Sequence, residues 1–135
     1  MEYAQIAYDY AEAGDHQKAI ENYDEAIRLD PQYTDAYNNR GNAYINLGQH
    51  ERAIQDYDEA IRLNPQHAIA YNNRGYAYRK LGQYQRAIQD YDEAIRLNPQ
   101  NAITYYGRGL AYQSLGEQEL ADRDFQKAKE LGYAP

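Results

Sequence analysis

The chain of 135 residues contains no cysteine and no tryptophan, and it has only one methionine and one phenylalanine. Without cysteine it can form neither a disulfide framework nor a thiolate metal site. No apolar run approaches the roughly 18 residues that a transmembrane helix requires. The N-terminal segment has neither a basic region nor an apolar stretch, so it does not resemble a signal peptide. We therefore expect a cytoplasmic protein that does not contact a membrane.

Residue types that carry out catalysis are also scarce. There is one serine and there are two threonines, and no group of glycines has the spacing of a phosphate-binding loop. The sequence therefore predicts that the protein is not an enzyme and has no cofactor. The formal net charge of -7 opposes binding to nucleic acids and to anionic membranes, so the expected partners are proteins or peptides.

What the chain does contain is a repeat. The segment RAIQDYDEAIRLNPQ occurs without change at residues 52–66 and 86–100, an offset of 34 residues, and related copies occupy residues 18–32 and 120–134. A fixed period of this length indicates a stacked repeat architecture. Aligned on this period, the chain consists of four units, residues 1–33, 34–67, 68–101 and 102–135.

Each unit predicts two helices. Apolar or small residues recur at spacings of three and four on both sides of a central glycine, which is helical periodicity. The glycine suits the C-terminal cap of the first helix, and proline ends the second helix in all but the last unit. The glycines are Gly14, Gly48, Gly82 and Gly116, and the prolines are Pro31, Pro65 and Pro99. We also expect ion pairs four residues apart in the second helices, between Asp24 and Arg28, Asp58 and Arg62, and Asp92 and Arg96.

The pattern within the units resembles the tetratricopeptide repeat family over the whole chain. The matching positions are a small residue and an aromatic residue in the first helix (Gly41 and Tyr44 in the second unit), followed by alanine, aromatic and alanine in the second (Ala53, Tyr57 and Ala60). The resemblance implies an all-α solenoid of four helix-turn-helix units, with eight antiparallel helices in a right-handed superhelix. It also implies a concave groove, built from the first helices, that binds peptides or partner proteins.

The outermost helices carry polar residues where the inner units have apolar ones. Glu2 and Asp9 replace alanine or threonine in the first unit, whereas Asp122 and Lys129 replace isoleucine in the last. Terminal repeats have no neighbour on one side and need a polar outer face. We therefore expect residues 1–135 to form a single domain that is capped at both ends.

Arginine and aspartate vary together among the units. Arginine occurs at one position of the first helix and aspartate at one position of the second helix in units two to four, but Ile6 and Asn22 take these positions in unit one. The residues concerned are Arg40, Arg74 and Arg108, and Asp56, Asp90 and Asp124. The favoured interpretation is a partly buried ion pair within each unit. The alternative is that the arginines line the groove and bind an acidic ligand.

The three histidines do not indicate a metal site. His16 and His50 occupy equivalent positions one repeat apart, but Tyr84 and Gln118 replace them in the later units. The position therefore does not require an imidazole, and we expect no metal.

Units two and three agree at 26 of 34 positions, and the differences cluster in the first helices and their turns. This distribution fits a groove whose wall varies over a constant scaffold, but it also fits drift of exposed positions. We expect the groove to combine amides, apolar side chains and a basic pair. Asn39 and Asn73 would bind the peptide backbone, and Arg79 and Lys80 would favour an acidic residue. The further groove candidates are Tyr8, Asn38, Asn42, Asn72, Tyr76, Tyr106 and Leu110.

The sequence thus predicts a monomeric, non-catalytic scaffold that binds an extended peptide or a partner helix in its concave groove. The alternative is a self-associating scaffold, or one engineered from a consensus-like repeat, with no evolved ligand.

Overall fold

The structure is a computed structural model that describes residues 2–134, and within them it contains eight α-helices and no strand. The predicted all-α class is confirmed. The helices are α1 (Glu2–Glu12), α2 (His16–Leu29), α3 (Thr34–Asn46), α4 (His50–Leu63), α5 (Ala68–Lys80), α6 (Tyr84–Leu97), α7 (Ala102–Ser114) and α8 (Gln118–Glu130).

The turn inside each repeat is made by the glycine that the sequence indicated. Gly48 has a φ of +77°, a conformation that residues with a Cβ atom adopt only with strain. The next residue, Gln49, donates its backbone N–H to the Tyr44 carbonyl at 2.9 Å and so closes the last turn of α3. The other three turn glycines have φ between +77° and +85°, which confirms the predicted helix caps.

The chain divides into two compact units, Met1–Pro65 and Gln66–Pro135. In the N-terminal unit, helices α1 to α4 contact one another in chain order, and in the C-terminal unit helices α5 to α8 do the same. The division lies close to the predicted boundary between the second and third repeats. Each of these two compact units therefore contains two repeats, and each repeat is one helical hairpin.

Aromatic rings packed on small residues form the core of each hairpin. In the N-terminal unit, Tyr57 of α4 is buried against Gly41 of α3, where an added Cβ atom would lie 2.7 Å from the tyrosine ring. In the C-terminal unit, Phe125 of α8 approaches Gly109 of α7 in the same way, again at 2.7 Å. Real Cβ atoms do not approach that closely, so these first helices need glycine for the hairpin to close.

The predicted ion pairs four residues apart are wrong. Arg28 contacts Glu25, three residues earlier, at 2.8 Å, while Asp24 accepts from Arg40 of α3 at 2.8 Å. Arg62 and Arg96 likewise pair with Glu59 and Glu93. Asp24 and Asp92 instead face the first helix of the next repeat. A half-buried arginine of that helix, Arg40 or Arg108, forms the ion pair with each of them.

Candidate functional site

Buried arginine–aspartate pairs join the two helices of three repeats. Arg40 donates through Nε to Asp56 Oδ2 at 2.9 Å and through Nη2 to Asp56 Oδ1 at 2.6 Å. The same bidentate geometry links Arg74 with Asp90 and Arg108 with Asp124. The pairing predicted within the second, third and fourth repeats is confirmed. These guanidinium groups are therefore committed to the fold rather than offered to an acidic ligand.

Burial and hydrogen bonding have opposite effects on the pKa values of the residues in these pairs. The hydrogen bond with Asp124 raises the pKa of Arg108, which outweighs the opposing effect of burial and keeps the guanidinium charged. Burial raises the pKa of Asp56, and the hydrogen bonds from Arg40 act in the opposite direction. A bidentate geometry of this kind fixes the angle between the two helices as well as their contact.

Several of the amides predicted to bind a peptide instead satisfy groups of the core. Asn42 Oδ1 accepts from the Tyr57 hydroxyl at 2.6 Å, and Asn72 Oδ1 accepts from the Thr104 hydroxyl at 2.9 Å. Asn38 is buried, with 6% of its surface exposed. A buried hydroxyl needs a hydrogen-bond partner, and an asparagine on the facing helix supplies it.

The tyrosine of the first repeat follows the same rule. Burial is the main cause that raises the pKa of Tyr23 to about 12, and a hydrogen bond with Asn39 acts against it. Asn39 and Tyr23 also line the same cavity of the N-terminal unit. The counterpart of Asn39, Asn73, is half-buried on α5 of the C-terminal unit.

The N-terminal unit contains a polar cavity of about 240 Å³ beside α1, which we call the N-terminal cavity. Tyr8, which is 49% exposed, contributes to its wall together with Asn39 and Asn42. The structure thus brings three of the predicted site residues together. The remaining lining residues are Ala11, Glu12, His16, Tyr23, Ala43 and Asn46.

The C-terminal unit contains a larger cavity of about 730 Å³, which we call the C-terminal cavity. Tyr106 and Leu110 of α7, both predicted from the sequence, line it together. The ring of Tyr106 lies 4.5 Å from that of Tyr133 and 5.4 Å from that of Phe125, measured between centroids. The other lining residues are Gln113, Lys129, Gly132 and Ala134.

Sequence reasoning missed the half of the C-terminal cavity that α8 and the following segment provide. Tyr133 occupies the repeat position at which the earlier units have proline, and Gly132 precedes it with a φ of +102°. That departure from the repeat was the signal for a different ending. The Tyr133 backbone N–H donates to the Ala128 carbonyl at 2.9 Å, which turns the chain back toward α7 and places the ring against Tyr106.

The predicted basic pair lies beside a tyrosine on α5. The guanidinium carbon of Arg79 is 5.2 Å from the centroid of the Tyr76 ring, and Lys80 Nζ is 6.0 Å from it. Burial raises the pKa of Tyr91, and a hydrogen bond with Arg79 opposes this effect. Arg79 therefore contributes to the fold, whereas Lys80 is exposed.

Residues 2–134 contain no group of three or more histidine, aspartate or glutamate side chains placed to hold a metal ion. Over the same range, none of the helices has the length and apolarity needed to cross a membrane.

The helical hairpins, their glycine turns and their aromatic–small packing match a known repeat. The model of the tetratricopeptide repeat family matches residues 5–68, 39–102 and 72–132, which together cover most of the chain. The chain belongs to the tetratricopeptide repeat family. Its resemblance to that family, inferred from the positions of the small and aromatic residues, is confirmed.

Solved structures with the same fold include tetratricopeptide repeat proteins called MamA. The crystal structure of MamA superposes with a TM-score of 0.90 at 30% identity and covers 96% of this chain and 75% of that one. A MamA fragment from Desulfovibrio magneticus RS-1 gives a TM-score of 0.89 at 28% identity, covering 96% of this chain and 73% of that one. None of the curated proteins matches the chain.

Membership in the tetratricopeptide repeat family and the likeness to MamA indicate a protein-interaction scaffold. Members of this family are typically not enzymes, and their partners are proteins. The cavities described above are the surfaces on which such a partner is to be sought.

Proposed function

We propose that the chain is a non-catalytic scaffold that binds an extended peptide or a helix of a partner protein. The proposed site is the C-terminal cavity, which would receive the main apolar side chain of the ligand. The observation that carries this proposal is the convergence of Tyr106, Leu110, Phe125 and Tyr133 on one open, aromatic-lined space of about 730 Å³.

The cavity has the character of a ligand site rather than of a packing defect. Its volume falls in the range of about 300–1,000 Å³ that is typical of ligand pockets. Three aromatic rings offer a large apolar contact area at little cost in side-chain entropy, which is why aromatic residues dominate binding hot spots. An apolar side chain that enters this space would contact the rings of Tyr106, Phe125 and Tyr133.

The charge at the edge of the cavity specifies the ligand further. Lys129 is exposed where α8 lines the cavity, and Gln113 supplies a polar group from α7. An acidic residue next to the inserted apolar residue would complement Lys129. We therefore expect a ligand in which an aromatic or aliphatic residue is adjacent to aspartate or glutamate.

The amides take a smaller part than their number in the sequence suggested. Asn42 already accepts a hydrogen bond from the Tyr57 hydroxyl, and Asn39 lies beside Tyr23 in the wall of the N-terminal cavity. Binding of a peptide backbone in this unit would therefore depend on Asn39 more than on Asn42. In the C-terminal unit, the predicted groove residues Asn73, Tyr76 and Lys80 lie on α5 and do not line the C-terminal cavity.

A peptide library displayed on phage and selected on the purified protein tests this proposal. Selected peptides are expected to share an apolar residue beside an acidic one, and Leu110→Ala should weaken their affinity about tenfold because an apolar contact is lost. Leu115→Ala is the matched control, because Leu115 is an exposed leucine of the same helical hairpin that does not line the C-terminal cavity. Equal losses for the two variants would refute the site.

A further inference from the structure

The N-terminal cavity differs from the C-terminal cavity in chemistry. It is smaller, at about 240 Å³, and its wall carries a carboxylate, phenol hydroxyls and side-chain amides. The carboxylate is that of Glu12, which is exposed at the end of α1. Asn46 donates its side-chain N–H to the backbone carbonyl of Asn42 at 3.0 Å. This leaves the side-chain oxygen of Asn46 able to accept a hydrogen bond. The Glu12 carboxylate and the Asn46 side-chain oxygen are therefore acceptors that this wall offers to a ligand.

The two halves of the chain differ sharply in charge, and the cavity lies in the acidic half. Residues 1–65 contain 13 acidic and five basic side chains, whereas residues 66–135 contain eight acidic and nine basic ones. The net charge of -7 thus comes entirely from the N-terminal half. A concave site in such a region attracts cations.

The basic side chains of the N-terminal unit are engaged elsewhere. Arg28, Arg40 and Arg62 form ion pairs with acidic residues outside the cavity wall. The other two lie over tyrosine rings, Lys18 at 5.5 Å from Tyr10 and Arg52 at 5.7 Å from Tyr44. Glu12 has no ion pair with any of residues 2–65. Among these residues, no basic side chain therefore neutralises the charge of its carboxylate.

We propose that the N-terminal cavity binds the guanidinium group of an arginine side chain. Glu12 would form the charged hydrogen bond, Asn46 would accept a second one, and the exposed ring of Tyr8 would stack on the guanidinium plane. The proposal rests on the proposed function in that the arginine belongs to a partner peptide. It adds a site in a different unit from the C-terminal cavity, with the opposite charge preference.

The test uses the full chain, labelled with ¹⁵N, and the short probe acetyl-Gly-Gly-Arg-Gly-Gly-amide. Titration is expected to give saturable shifts of the NMR signals of Glu12 and Asn46. The same peptide with citrulline in place of arginine has nearly the same shape but no charge. It should bind about fivefold more weakly, because the charge-assisted hydrogen bond is lost.

Two variants decide whether the cavity or the general charge of the unit attracts the probe. Glu12→Gln should weaken binding about fivefold, whereas Glu21→Gln removes the same charge from an exposed position on α2 and should have less than about a twofold effect. Equal losses for the two variants, or equal binding of the citrulline probe, would overturn the proposal. Thermal melting of both variants checks that each is folded.

The same titration separates this proposal from the proposed function. Lys129→Glu alters the C-terminal cavity and should leave binding of the arginine probe unchanged. If library-selected peptides ignore the C-terminal cavity while the arginine probe binds as described, only the proposed function fails. If the selected peptides behave as predicted but the probe does not bind, the arginine site is wrong.

Discussion

Three aspartates are buried beside arginines that lie sixteen residues earlier in the chain. Each pair is bidentate, and its arginine is about one-fifth exposed while its aspartate is nearly inaccessible. Charges in such positions need their partner, because an unpaired charge there keeps its full desolvation cost. Each pair therefore helps to hold the two helices of its repeat together.

Breaking one such pair should destabilise the protein strongly. We expect Asp56→Ala to lower the free energy of unfolding by about 3 kcal/mol, because Arg40 is then left half-buried without its main partner. Adding Arg40→Met should recover much of that loss. Urea denaturation of the unmodified protein, the two single variants and the double variant gives the four free energies that this comparison needs. Glu25→Ala, which breaks the exposed pair with Arg28, is the control and should have little effect. Additive losses from Asp56→Ala and Arg40→Met would contradict this account.

The buried tyrosine hydroxyls predict a loss of stability at alkaline pH. The pKa of Tyr23 is about 12 in the folded protein, against 10.0 for an ordinary tyrosine. Between these values the unfolded chain releases a proton that the folded chain retains, so stability is intact below pH 10 and falls as pH rises from 10 toward 12. The full effect of one such group is about 2–3 kcal/mol.

Thermal melting from pH 8 to pH 11 tests this prediction. Tyr23→Phe removes the ionisable group and should flatten the alkaline decline, although Tyr91 and Tyr112, whose pKa values are also raised, will keep part of it. Tyr3→Phe alters an exposed tyrosine and serves as the control. A decline as steep in Tyr23→Phe as in the unmodified protein would show that another group is responsible.

Comparison of α6 with α8 shows how the residues of one helix face depend on whether another helix packs against it. Ile88 of α6 is buried at 8% exposure, in a cluster with Ala87, Tyr91 and Ala111. Asp122 takes the equivalent position on α8 and is exposed. Lys129, two helical turns later on the same face, is exposed as well. A face that packs on a following helix is apolar, and the same face at the end of the unit is polar.

This difference predicts unequal effects of charge on the two helices. Ile88→Asp should lower the free energy of unfolding by about 3 kcal/mol or more, because an apolar contact is lost and a charge is buried. Lys129→Glu reverses a charge on the exposed face and should change stability little. Thermal denaturation of both variants is sufficient. Equal decreases in melting temperature would contradict the proposed role of the polar face.

On the scale of the whole molecule, the features predicted correctly from the sequence are those set by local rules. The 34-residue period, the turn glycines and the apolar spacing determine the eight helices and their order. The arginine–aspartate pairs were also predictable, because the joint absence of both partners from the first repeat indicated their contact. Each of these features lies within one repeat and recurs in others.

The candidate site was less predictable because it depends on departures from the repeat and on competition between partners. Tyr133 and Gly132 replace the proline and the preceding aspartate or asparagine of the earlier repeats, so comparison of repeats gave no expectation for the C-terminal cavity. Asn42 looked available for a ligand because its partner, the hydroxyl of Tyr57, lies fifteen residues away on another helix. The pairing of Asp24 with Arg40 instead of Arg28 was not predicted for the same reason, because Arg40 lies sixteen residues away on another helix.

The central claim is that the C-terminal cavity binds a peptide with an acidic residue beside an apolar one. Fluorescence anisotropy of a labelled, library-selected peptide tests it most directly with two variants of α8, Lys129→Glu and Lys127→Glu. Both reverse the same charge on the same helix, but only Lys129 lines the cavity. We predict a loss of affinity of at least about fivefold for Lys129→Glu and little change for Lys127→Glu. Equal affinities for the two variants would contradict the claim.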